Sequence, residues 1–149
     1  LSELQEHIKT PVCLDESVVT AQDMEEAMDF DNLKCYALKV AKFGGIQPTL
    51  DFYHWLREQG KLPWMGGMFD TGVSKRMHAA FATLPGMDLP ADVSDYSEYF
   101  QHDTAIPPLV LSDGELVLNT LDHPAGLGCV LDKVYLQSVL VDEVTIAKE

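Results

Sequence analysis

Short apolar stretches recur along this chain at a spacing of about 25 residues, each followed by a loop and then by a segment of helical periodicity. Residues 11–15, 33–38 and 62–65 are the apolar stretches, and each is too short for a helix and too apolar for an exposed strand. Behind the first, Thr20 and Asp23 are placed to cap a helix that continues through Met24, Ala27 and Met28, and Asn32 marks its exit. Behind the second, Gly44 and Gly45 form a tight loop, Pro48 suits a first helical turn, and Leu50, Tyr53, Trp55 and Leu56 continue to a stop at Gly60. Behind the third come Gly66 and Gly67, and Met77, Ala80, Phe81 and Leu84 then repeat at amphipathic spacing. Strand, loop and helix in strict rotation predict an α/β fold with a parallel sheet and right-handed crossovers.

The rotation breaks after Pro85-Gly86. Residues 92–94 read as one last short strand. Pro107-Pro108 then separates it from a hairpin, in which residues 109–111 and 116–118 flank Asp113-Gly114. A short helix near 132–136 is expected in the tail. At the other end, Ser2 and Gln5 have the spacing of a capping box for a helix reaching about Ile8.

In such sheets, ligands are bound at the carboxyl ends of the strands. The first two strands each deliver an ionisable group there, Asp15 and Lys39. Read alone, Asp15 is as well explained as a surface or capping carboxylate, and Lys39 as a solvated lysine. The formal charge of −14 argues against a polyanionic partner, whether nucleic acid or an anionic membrane, and leaves divalent cations welcome. Cys13, Cys35 and Cys129 show no CxxC spacing and read as reduced, mostly buried thiols of a cytoplasmic protein. No apolar run approaches membrane-spanning length. The five histidines, His7, His54, His78, His102 and His123, lack metal-ligand spacing and read as surface or helix-face residues.

Three motifs carry a family resemblance: Thr10-Pro11-Val12-Cys13-Leu14-Asp15-Glu16-Ser17; Lys39, 24 residues after Asp15, with Gly44-Gly45 beyond it; and Trp64-Met65-Gly66-Gly67-Met68-Phe69-Asp70-Thr71-Gly72. In this order and spacing they resemble the C-terminal half of o-succinylbenzoate synthases, in the enolase-superfamily group that also holds N-acylamino acid racemases. The similarity runs on through Leu89-Pro90-Ala91-Asp92-Val93-Ser94 to His123-Pro124-Ala125-Gly126-Leu127-Gly128. It implies the C-terminal half of a modified (β/α)7β TIM-type barrel over residues 1–106, with a hairpin and tail at 107–149 returning towards a cap domain.

By the same resemblance, Asp15 matches the last of three carboxylates that hold Mg²⁺, and Lys39 a catalytic lysine. Glu16 orients one of these two, and Gly66, Gly67, Met68 and Asp70 contact substrate. Asp70 stands where relatives usually carry glutamate, and a strand-to-helix turn explains the glycines nearly as well. Lys42 replaces an arginine of many relatives, which counts against the racemase reaction because lysine lacks a planar fork.

The implied chemistry is Mg²⁺-dependent dehydration of a small carboxylate substrate through an enediolate, in menaquinone biosynthesis. Racemisation or epimerisation is the alternative. A second alternative is a non-catalytic remnant or interaction domain that pairs with another chain. The first two metal carboxylates and a partner lysine would lie before Leu1. The isolated chain is therefore expected to be inactive, and to require the missing half or another copy of itself as a homo-oligomer.

Overall fold

The three apolar stretches form one sheet. Its strands are β1 (Cys13–Leu14), β2 (Cys35–Leu38) and β3 (Leu62–Met65), paired in parallel in the order β1-β2-β3. The computed structural model describes residues 1–118 and 126–145. All four residues of β2 are buried, as expected of a central parallel strand covered on both faces.

The helices follow from local signals. α1 (Ser2–His7) precedes the sheet, α2 (Ala21–Met28) follows β1, α3 (Ile46–Glu58) follows β2 and α4 (Gly72–Ala82) follows β3. The expected cap at Thr20 is present as a full capping box: its hydroxyl accepts from the Asp23 amide at 3.2 Å, and the Asp23 carboxylate accepts from the Thr20 amide at 2.7 Å. α3 ends in a left-handed Gly60 (φ 65°), with the Lys61 amide donating to the Leu56 carbonyl and the Gly60 amide to that of Arg57. That is a Schellman stop, and it explains why a glycine stands there.

Two expectations are corrected. Ser2 caps nothing: its hydroxyl donates to Asn32 Oδ1 at 2.8 Å, and the Asn32 amide returns a bond to the Ser2 carbonyl. Asn32 thus ties α1 to the loop after α2 rather than ending the helix. Residues 92–94 form no strand, because a single backbone bond, from the Asp92 amide to the Met65 carbonyl, joins them to β3.

The chain divides into two packing units. The first comprises Leu1–Phe69 and Met77–Ser94, and holds the parallel sheet. Its core joins Leu14 and Val18 to Tyr36 and Leu38 of β2, Phe52 and Leu56 of α3, Met65 and Phe81. Phe52 is the aromatic hub, with its ring centroid 4.7 Å from Phe43, 5.7 Å from Trp55 and 6.3 Å from Tyr36.

The second unit holds Asp70–Arg76 and the described residues from Asp95 on. β4 (Ala105–Ile106) pairs there with the later strand β7 (Val130–Leu131). The expected hairpin is formed by β5 (Leu111–Ser112) and β6 (Glu115–Leu116) around Asp113 and Gly114, both at positive φ as a two-residue hairpin turn requires. α5 (Lys133–Ser138) is the short tail helix, capped by Asp132. Within this unit the buried Asp103 accepts from the Gly72 amide at 2.7 Å and so caps the start of α4. His123, Pro124 and Ala125 of the resemblance lie outside the described residues.

Since the Thr20 box satisfies two otherwise orphaned donors at the start of α2, Thr20→Ala is expected to cost about 1 kcal/mol. Urea unfolding of the protein, read as the shift of midpoint at constant slope, measures it.

Candidate functional site

Asp15 and Lys39 are each the first residue beyond a strand, and the parallel register sets them side by side at the carboxyl edge of the sheet. Lys39 Nζ lies 2.6 Å from Asp15 Oδ2. Glu16 is on the rim: its carboxylate is 86% exposed and 3.8 Å from Lys39, an ion pair that water screens heavily. Asp15 and Lys39 are far less accessible, at 25% and 13%.

Lys42 completes the cluster. The chain turns sharply after Lys39, with the amides of Lys42 and Phe43 both donating to the Lys39 carbonyl. The turn sends the Lys42 ammonium back to Asp15 Oδ1 at 3.2 Å, the Asp15 carbonyl at 3.0 Å and the Ala37 carbonyl at 2.9 Å. The carboxylate therefore has an ammonium on each oxygen. Burial alone would push the Asp15 carboxyl up, but hydrogen bonds from Lys39 and Lys42 outweigh it and hold it below its ordinary value. For Lys42, burial prevails over the attraction of Asp15 and draws the ammonium below its ordinary value.

Gly66, the first residue beyond β3, belongs to the same cluster for a steric reason. A Cβ on it would sit 2.8 Å from Lys39 Cε and 3.3 Å from Lys39 Cγ, so the lysine stem lies across the space a side chain would fill. Gly67 serves a neighbouring contact, since a Cβ there would overlap the Asp92 carbonyl oxygen. Met68 is exposed, while Asp70 falls in the second packing unit. The structure thus gathers Asp15, Glu16, Lys39 and Gly66 into one place, and holds Gly67 against Asp92.

Two residues escaped the sequence reading. Lys42 was considered only as a replaced arginine, although its position three residues after Lys39, across a turn, brings it back to Asp15. His78 lies on a face of α4 but is buried there rather than at the surface, at 1% exposure, with Nε2 accepting from the Val40 amide at 3.3 Å. It thereby fixes the backbone one residue past Lys39. The signal was its position three residues before Phe81, on the inward side of α4.

As a metal ligand, Asp15 has the right chemistry, a carboxylate at a strand end. Among the described residues no group of three His, Cys, Asp or Glu side chains is close enough to hold an ion. Mg²⁺ demands near-octahedral oxygen coordination, of which Asp15 supplies one side chain. A cavity of about 460 Å³ lined by Leu14, Val18, Ala27, Phe30 and Leu33 includes neither Asp15 nor Lys39. Among the described residues no helix is long and apolar enough to cross a membrane.

Comparison with known proteins bears on the fold and the family. The family model for "Enolase C-terminal domain-like" proteins matches residues 1–135. The chain is 33% identical to an o-succinylbenzoate synthase of Enterococcus faecalis over 85% of its own length and 33% of that enzyme's. It is 34% identical to an N-succinylamino acid racemase of Thermus thermophilus over 97% of its own length and 37% of the racemase. It therefore spans about a third of the length of these relatives. Among solved structures, an enolase-superfamily member from Listeria innocua superposes with a TM-score of 0.79 at 29% identity, covering 92% of this chain and 36% of that one. A muconate cycloisomerase from Pseudomonas fluorescens gives 0.78 at 25% identity, over 92% of this chain and 37% of that one. With a parallel α/β sheet, an acid and a lysine at adjacent strand ends, and a family model covering most of its length, the chain belongs to the enolase C-terminal domain-like family.

Proposed function

We propose that this chain supplies Asp15 and Lys39 to the active site of an o-succinylbenzoate synthase-like lyase, which dehydrates a small carboxylate through an enediolate in menaquinone biosynthesis. The observation that carries the reading is the 2.6 Å pair between Lys39 and Asp15 at neighbouring strand ends, in a chain 33% identical to such synthases. The remaining groups, including two further carboxylates and a second lysine, would come from the rest of a (β/α)7β barrel. The setting is the cytoplasm.

Removing a proton next to a carboxylate places a second negative charge on the substrate. Lys39, paired with Asp15 and with its stem confined against Gly66, offers an ammonium that opposes this build-up without having to reorganise. Asp15 would be one ligand of a Mg²⁺ ion, which when bound supplies Lewis-acid stabilisation of the same charge. Glu16 adds only a water-screened contact to Lys39 from the solvent side, and His78 fixes the backbone beyond it. Loss of the β-hydroxyl then completes the dehydration.

Racemisation of an N-succinylamino acid is the second reading, favoured by the similarity to the Thermus thermophilus enzyme over 97% of this chain. There Lys39 would return a proton to the face opposite the one that lost it.

Both readings need Lys39. In the complete protein with Mg²⁺, Lys39→Ala is expected to lower turnover by about 10²- to 10⁴-fold, measured with the β-hydroxy acid precursor of o-succinylbenzoate and with an N-succinylamino acid. The ratio of the two wild-type turnover numbers separates synthase from racemase. Near-normal activity of the variant on both substrates would remove the proposal.

The 149-residue chain by itself is expected to show no turnover of either substrate with Mg²⁺ added. A rate above background would contradict the shared-site reading.

The ion pair also has a pH signature. The Asp15 carboxyl titrates lower in the folded chain than its ordinary 3.8, so its contribution to stability is complete above that value and is lost as pH falls through the folded value. Unfolding midpoints taken from roughly pH 5 down to pH 2 should drop more steeply for wild type than for Asp15→Asn.

A further inference from the structure

Cys13 and Cys35 are partners in the parallel register of β1 and β2. Partners on neighbouring parallel strands project to the same side of the sheet, with the strands about 4.7–4.9 Å apart. A separation of that order falls within the range of about 4.4–6.8 Å usual between the Cα atoms of a disulfide. Both thiols are free. Cys35 is buried at 3% exposure, whereas Cys13 is partly exposed. Without CxxC spacing the two thiols are not linked by sequence, and the strand register brings them together. Cys129 lies in the other packing unit.

We propose that Cys13 and Cys35 form an oxidisable dithiol, a modification site at which a small hydroperoxide is reduced and an intramolecular disulfide joins β1 to β2. With hydrogen peroxide as the oxidant, the Cys13 sulfur attacks one peroxide oxygen, the O–O bond breaks, and water leaves with Cys13 as a sulfenic acid. The Cys35 sulfur then attacks the Cys13 sulfur, the S–S bond forms, the S–O bond breaks and a second water departs. Peroxide is reduced to two waters, the two thiols are oxidised to one disulfide, and both thiol protons end in water. Cys13 goes first because it is the more accessible of the two, and Cys35 resolves because the strand register sets it opposite Cys13. The inference stands apart from the proposed dehydration, since it uses neither Asp15 nor Lys39.

The test treats the fully reduced complete protein with hydrogen peroxide in small molar excess, then alkylates, digests and maps the peptides by mass spectrometry. The expected product is a peptide pair joined through Cys13 and Cys35, lighter by two hydrogens than the reduced pair and returned to two alkylatable thiols by dithiothreitol. It should form equally in Cys129→Ser and be absent from Cys13→Ser and Cys35→Ser. The decisive readings come from wild type and Cys129→Ser, so poor folding of the other variants does not blunt them. Two results would overturn the proposal: both thiols still alkylatable at doses that oxidise Cys129, or Cys13 driven to sulfinic acid beside a reduced Cys35.

Discussion

The parallel pairing of β1 with β2 is the constraint from which the site follows. Leu14 stands opposite Tyr36, so the chain leaves β1 at Asp15 while β2 runs two residues further, to Leu38, before it leaves at Lys39. A lysine side chain is long enough to make up that offset, and its ammonium reaches back to the carboxylate. A one-residue slip would turn every side chain of a strand to the opposite face. Asp15 would then face the helices and Tyr36 would leave the core it shares with Phe52. Apolar packing on one face therefore enforces the polar arrangement on the other.

Taking charges partly out of water is costly unless each finds partners, and removing one partner leaves the others exposed to the full penalty. Asp15, Lys39 and Lys42 meet this by sharing: one carboxylate accepts from two ammonium groups, and backbone carbonyls take the remaining donors of Lys42. The cluster is positively biased once Glu16, out in solvent, is discounted. A site with that bias suits an anionic group, even though the whole chain carries −14.

What could be read from the sequence was whatever depends on near neighbours. The apolar runs at β1, β2 and β3 were bounded by loops and too short for helices, so their nature was plain. The Thr20 box closes within four residues, and Gly60 stops α3 within its own turn. Asp15 and Lys39 followed as strand-end residues once the strands were placed. The failures all have distant causes. Ser2 has capping spacing but bonds to Asn32, 30 residues away. His78 looks like any helical histidine until the Val40 amide, 38 residues away, is brought against it. Residues 92–94 have strand composition, yet a strand is defined by a ladder, and the chain beside β3 provides only one rung.

Lys42 shows why residue type matters as much as charge at such a position. Its ammonium has three donors and three acceptors converging on it, at 2.9, 3.0 and 3.2 Å, from Ala37 of β2 and from Asp15 just beyond β1. Three acceptors around a point suit the compact, rotatable donors of lysine, whereas a guanidinium spreads its donors in a rigid plane. With those contacts made, Lys42 has no donor left to offer a ligand, and its work is to hold β1 against β2 below Asp15. Lys39 is in the opposite situation. Its ion pairs are with carboxylates, Asp15 at 2.6 Å and the solvent-facing Glu16 at 3.8 Å. Of the two lysines beside Asp15, Lys39 is therefore the one with fewer acceptors around its ammonium, and the glycine at position 66 leaves room for its stem.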